Sequence, residues 1–135
     1  MTYSIRELDA IRPGVSKILK SIKIHTTDKL LEAARTPKAR QQLAVKTGID
    51  AREILRYANM ADRMRIHGVG REHASLLEAA GVNTVRELGY RNPANLTAAM
   101  ADANRKRKVA RQLPSEKTVG RWIEVAKGLP HKIFY

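Results

Sequence analysis

The sequence predicts an all-α fold in which one pattern of four helices is used twice and packed as one compact domain. Three observations point to it. Apolar residues recur at the helical i, i+3, i+4, i+7 spacing and never in the strict alternation of a strand. Capping residues and prolines open the apolar stretches, and glycines close several of them. The order of these signals then repeats along the 135 residues.

Pro13 suits a first helical turn, where its missing N–H costs nothing. Val15, Ile18, Leu19 and Ile22 follow as one apolar face. Thr26 reads as the N-cap of a short helix carrying Leu30 and Leu31. Thr36-Pro37 is a cap with an N1 proline; that helix carries Leu43 and Ala44 and stops at Gly48. Asp50 and Glu53 resemble a capping box before the face Ile54, Tyr57, Ala58 and Ala61. In the second half Gly68-Val69-Gly70 is a tight turn, followed by a helix with Ala74, Leu76, Leu77 and Ala80 that ends at Gly81. Thr84 caps a short helix with Val85 and Leu88, Asn92-Pro93 opens another, and Ser115 caps the last. The face of that last helix is Val119, Trp122, Ile123 and Ala126, before Pro130.

The halves align. Ile18-Leu19 matches Leu76-Leu77, and Ile24-His25-Thr26 matches Val82-Asn83-Thr84, both at an offset of 58. Thr36-Pro37 matches Asn92-Pro93, and the Tyr57 face matches the Trp122 face at an offset of 65. The expected organisation is a first repeat over 1–62 and a second over 63–135, the matching Tyr57 and Trp122 being core residues.

Hydrophobic residues at 43% are a globular value, and aromatics at 4% make the core aliphatic. There are 14 basic against 7 acidic residues before His67 and 12 against 6 after it. The formal charge of +13 is therefore a property of the whole body, not of a tail, and it attracts anionic partners. The absence of Cys excludes disulfides and thiolate metal sites and suits a cytoplasmic setting. No apolar run reaches the roughly 20 residues of a membrane-spanning helix, and the first ten residues lack the apolar segment of a signal peptide, so membrane insertion is not expected.

The sharpest local signal is Ile66-His67-Gly68-Val69-Gly70. Val69 can enter the core while the glycines allow unusual φ and close backbone approach. Gly70 then opens a helix whose unpaired amides and dipole suit a phosphate. Gripping nucleic-acid backbone through main-chain amides, without reading bases, is how a helix-hairpin-helix works. Arg65, His67 and Arg71 surround the turn, as does Arg63. The densest charge is Arg105-Lys106-Arg107-Lys108, with Arg111 beyond; it is either a backbone clamp or a solvated connection. The phosphate-binding candidates are Gly68, Val69, Gly70, Arg71, Arg65, His67, Arg105, Lys106, Arg107 and Lys108. Lys17 and Lys20 form a weaker patch, read as a solvated face.

The order Ile66-x-Gly-Val-Gly-x-x-x-Ala74-x-x-Leu77-x-x-x-Gly81-Val82-x-Thr84, then Leu88, Asn92-Pro93 and Trp122-Ile123, resembles helix-hairpin-helix proteins. It is more closely similar to a bacterial family known as domain of unknown function 4332, over about Ile5 to Tyr135. The resemblance implies duplicated helix-hairpin-helix units, each followed by two further helices, and implies no activity. One departure matters: at the offset of 58, Ala10 and Arg12 stand where Gly68 and Gly70 should be. The first hairpin is expected to be mainly structural.

His25, His67, His73 and His131 do not fall at the spacing of a helical metal pair, and no Walker or dinucleotide loop is present. The chain is short for a glycosylase base pocket and shows no matching catalytic Lys or Asp. No enzyme activity, metal or cofactor is expected. The expected function is sequence-independent binding of nucleic-acid backbone, DNA foremost. The alternative is an interaction module or accessory subunit docking on an acidic protein partner.

Overall fold

The computed structural model describes residues 2–9 and 11–135. The fold is all-α. A short 3-10 turn, Ile5–Glu7, precedes α1 (Pro13–Ser21), α2 (Thr27–Ala33), α3 (Pro37–Thr47), α4 (Ala51–Arg63), α5 (Arg71–Ala79), α6 (Val85–Gly89), α7 (Pro93–Lys106) and α8 (Glu116–Gly128). Extended pairing among the described residues is limited to one bridge, Ser4 with Thr26. No described helix is long and apolar enough to cross a membrane.

Local chemistry fixes the helix starts. Thr26, Thr36, Thr84, Asn92 and Ser115 each accept a hydrogen bond from the amide three residues on, which satisfies a donor the helix itself leaves unpaired. Pro13, Pro37 and Pro93 occupy the first turns of their helices. Gly48 ends α3 in the left-handed conformation, φ 76°. The helices α1 and α5 differ: Arg12 and Gly70 stand at their N-caps and give no side-chain cap.

The chain divides into two compact units, Met1–Asp62 with Lys132–Tyr135, and Arg63–His131. In the first, Ile5, Leu8, Val15, Leu19, Leu30 and the α4 face Ile54, Tyr57, Ala58 and Ala61 form the core. The apolar face of α1 is rotated from expectation. Ile18 is 38% exposed and Ser16 is buried, because the helix turns the arc centred between Val15 and Ser16 inward. The capping box is half formed: Asp50 accepts from the Arg52 amide at 2.7 Å, but Glu53 turns to Arg12 and Tyr57 instead. Arg40 is buried, and its planar fork donates to the carbonyls of Ala34 (2.9 Å) and Phe134 (2.8 Å). Phe134 donates its amide to the Arg35 carbonyl, and its ring lies under the Arg35 guanidinium. These bonds hold Lys132–Tyr135 in the first unit.

In the second unit α8 packs on α6 and α7, and α7 on α5. Ile66, Val69, Ala74, Leu77, Val82, Leu88, Leu96, Val119, Trp122 and Ile123 are buried between them. Arg63 has no exposed surface. Its Nε donates to the Ala74 carbonyl and its Nη1 to the Asn83 carbonyl, both at 2.9 Å, while Nη2 lies 3.8 Å from the Glu78 carboxylate. Grouped above with the basic surroundings of the turn, Arg63 is instead an internal staple joining α5 to the turn after it.

The units share bonds at the offset of 58. Leu8 donates to Ile5 (3.2 Å) and Ile66 to Arg63 (3.3 Å). Ile11 donates to Leu8 and Val69 to Ile66; Ser16 to Arg12 and Ala74 to Gly70. Ile24 donates to Leu19 and Val82 to Leu77, both at 2.9 Å. The turn these bonds close needs a left-handed residue, Lys23 (φ 69°) in one unit and Gly81 (φ 92°) in the other. Ala10, set above against Gly68, lies outside the described residues.

Candidate anion-binding site

The turn before α5 is shaped by two glycines with different duties. Gly68 has φ 90°, a conformation that disfavours every side chain, and a Cβ there would stand 3.6 Å from Trp122 Nε1. Gly70 has φ −92°, ordinary for any residue, and a Cβ on it would meet nothing within 4 Å. The fold therefore requires glycine at 68 and not at 70. What Gly70 provides is an unobstructed approach to the start of α5. There the amides of Glu72 and His73 have no acceptor inside the helix, and the helix dipole is positive.

The predicted residues divide. Val69 is fully buried, and its amide already donates to the Ile66 carbonyl at 3.0 Å, so it anchors the turn and offers no donor. His67, Gly68 and Arg71 are exposed at the rim. Arg65 is half-buried, with Nη2 donating to the Pro130 carbonyl at 2.7 Å; it braces the end of the unit. Trp122 is buried beneath the turn as expected of a core residue, and the half-buried His73 ring tilts against it with centroids 5.3 Å apart.

The basic run is more ordered than four adjacent cations suggest. Arg105 and Lys106 end α7, where cations complement the dipole. Both pair with Asp102, at 2.7 and 3.2 Å, and Lys106 first and then Arg105 hold its carboxyl below the usual carboxylate range. Arg107 is the C-cap and Lys108 is exposed. Asn104 folds the following loop: its Oδ1 accepts from the Val109 and Ala110 amides, and its Nδ2 donates to the Ala110 carbonyl. Arg111 then reaches Glu72 in the first turn of α5 at 3.1 Å, keeping that carboxyl low. This bond ties the loop after the run to the helix that begins at Gly70. Glu72, His73, Arg111 and Gln112 line a shallow cleft of about 350 Å³ there. Neither Asn104 nor the Arg111–Glu72 bridge was visible beforehand; an Asn two residues before the end of a helix, ahead of an irregular stretch, was the available signal.

In the first unit the corresponding position is filled. Arg12 stands at the α1 N-cap, and its guanidinium is bidentate on Glu53, Nη2 to Oε1 at 2.8 Å and Nε to Oε2 at 3.0 Å. The Tyr57 hydroxyl donates to the same carboxylate at 2.6 Å. Tyr57 first, and Arg12 with it, hold Glu53 below the usual carboxylate range.

A family model described as "Domain of unknown function (DUF4332)" matches residues 10–129. No curated protein and no solved structure matches the chain.

Proposed function

The chain belongs to the DUF4332 family, and we propose that it is a non-catalytic binder of nucleic-acid backbone, DNA foremost, that grips phosphate at the Gly68–Arg71 turn as a helix-hairpin-helix does. The observation that carries this reading is Gly70: a glycine the fold does not need, at the uncapped start of a nine-residue helix, with open space where its Cβ would be. A phosphate oxygen approaching the α5 amides would use that space, with Arg71 adding charge at the rim and His67 beside it. Arg107 and Lys108 extend the positive surface, and the net +13 supplies the long-range attraction.

The test is fluorescence anisotropy with a labelled duplex of about 20 base pairs at roughly 50 and 200 mM salt, wild type beside Gly70→Val. The expected result is salt-steep binding, with a log-log slope of about −0.9 per phosphate neutralised, weakened in the variant at unchanged fold. Equal binding by both proteins removes the turn from the function.

A second reading has its own support. Arg12 stands in the first unit where the second has Gly70 and is committed to Glu53, so only one of the two turns is open to a phosphate. That suits a module docking on an acidic protein. A pull-down at low and high salt after nuclease treatment separates the two: a stoichiometric protein partner that survives nuclease favours docking.

A further inference from the structure

We propose that the first unit holds a separate pocket for a small phosphorylated organic molecule, a phosphomonoester with an apolar body. The pocket has a volume of about 450 Å³ and is lined by Arg6, Ile11, Pro13, Ser16, Lys17 and Lys20. That volume falls in the roughly 300–1,000 Å³ range of small-molecule sites. Pro13, Ser16, Lys17 and Lys20 follow i, i+3, i+4, i+7 and so share one face of α1. This site is in the other unit from the Gly70 turn and does not depend on it.

Its charge sets it apart from three other clefts. One of those places Glu72 beside Arg111, another Asp28 and Glu32 beside Arg35 and Lys132, and a third Glu32 beside Lys23 and Lys29. The α1 pocket has three cations and no lining carboxylate. Among the described residues Arg6, Lys17 and Lys20 form no ion pair, whereas nearby Arg12 is committed to Glu53. Three like charges around a concave apolar wall repel one another, and a bound anion relieves that repulsion.

The second observation is Ser16. It is 8% exposed, and its hydroxyl has no partner among the described residues. A helical serine that does not face solvent can bond back to the carbonyl four residues earlier. Here that carbonyl, on Arg12, receives the Ser16 amide at 3.0 Å and nothing from the hydroxyl. Ser16 is part of the pocket lining, and its hydroxyl is available to a ligand there. A phosphomonoester matches this set. It carries about −1.5 to −2 charges and three acceptor oxygens, against the single charge of a backbone diester. Ile11 and Pro13 offer its body an apolar wall.

The experiment is a proton–nitrogen NMR titration of the full chain with phenyl phosphate, with inorganic phosphate and with methyl phenyl phosphate, a diester of similar shape. Phenyl phosphate is expected to shift the Ser16, Lys17 and Lys20 amides saturably. It should bind at least about ten-fold more tightly than either control. The double variant Ser16→Ala, Lys20→Gln should lose about ten-fold in affinity with its spectrum and Tm otherwise unchanged. If Lys17→Gln with Lys20→Gln, a pair of changes outside the buried core, binds as the wild type does, the proposal fails. Shifts spread evenly over Lys106, Arg107 and the rest of the basic surface, or no shifts, overturn it equally.

Discussion

At the offset of 58 the two units place Arg12 where Gly70 stands, and Ile5 where Arg63 stands. Around these positions the same backbone bonds recur, so the contrast isolates side-chain chemistry. In the first unit the Ile5 amide serves the His25 carbonyl at 3.1 Å. In the second the Arg63 side chain serves the equivalent Asn83 carbonyl at 2.9 Å. The first unit puts a bidentate ion pair at its N-cap; the second puts glycine there. The shared bonds thus frame an Arg12 committed to Glu53 in one unit and an open Gly70 in the other.

The largest effect should come from erasing the buried contrast. Arg63→Ile makes the second unit imitate the first. It strands the Asn83 carbonyl, removes a second donor from the Ala74 carbonyl and leaves Glu78 without its buried cation, at an expected cost of about 3–5 kcal/mol by urea unfolding. A loss under about 1 kcal/mol would show that the second unit tolerates an apolar residue there as the first does.

Next comes the pair of glycines. Gly68→Ala forces a Cβ into a left-handed conformation beside Trp122 and should cost about 1–3 kcal/mol. Gly70→Ala should change stability by no more than about 1 kcal/mol, since its backbone is ordinary and its Cβ meets nothing. Equal losses in thermal melts would mean that the two glycines do the same job.

Lys23→Gly tests the shared turn from the other side. Relieving a left-handed lysine should stabilise by about 0.5–1 kcal/mol, seen as a Tm rise of a few degrees. A fall in Tm would mean that the lysine's contacts outweigh its strain.

The smallest effect concerns Glu53. Its folded carboxyl is held low, so it contributes stability above the ordinary carboxylate range and loses it as pH falls through the folded value. Glu53→Gln should be slightly less stable than wild type at neutral pH, and the gap should close in acid. A gap constant from neutral to acid pH would contradict the role given to Tyr57 and Arg12.

The helix starts were legible in the sequence because their chemistry is local. Thr26, Thr36, Thr84, Asn92 and Ser115 need only the amide three residues on, and Gly48 and Gly81 only their own φ. Tertiary carbonyls were not legible. Arg63 read as part of the basic surroundings of the turn and nothing singled out Arg40, because a buried guanidinium makes sense only once Asn83 or Phe134 is known to face it. Ile18 was misplaced for a related reason: periodicity marks an apolar arc but not which edge of it turns inward. At the turn, Gly68, Gly70 and Arg71 were legible as a group. The consumption of the Val69 amide and the bracing of Arg65 by Pro130 were not, since both depend on how the chain closes.

Arg40 grips Phe134, and the first unit is therefore discontinuous in sequence, with residues 63–131 inserted between its parts. During synthesis the ribosome must deliver the whole insertion before the first unit receives its last segment. Closing so long a loop costs only slowly growing entropy, and an insertion that has already folded shortens the span the chain must search. Completion of the first unit then waits on synthesis of the second, and a nascent chain stalled before Lys132 would carry the Arg40 fork with one of its two acceptors still missing.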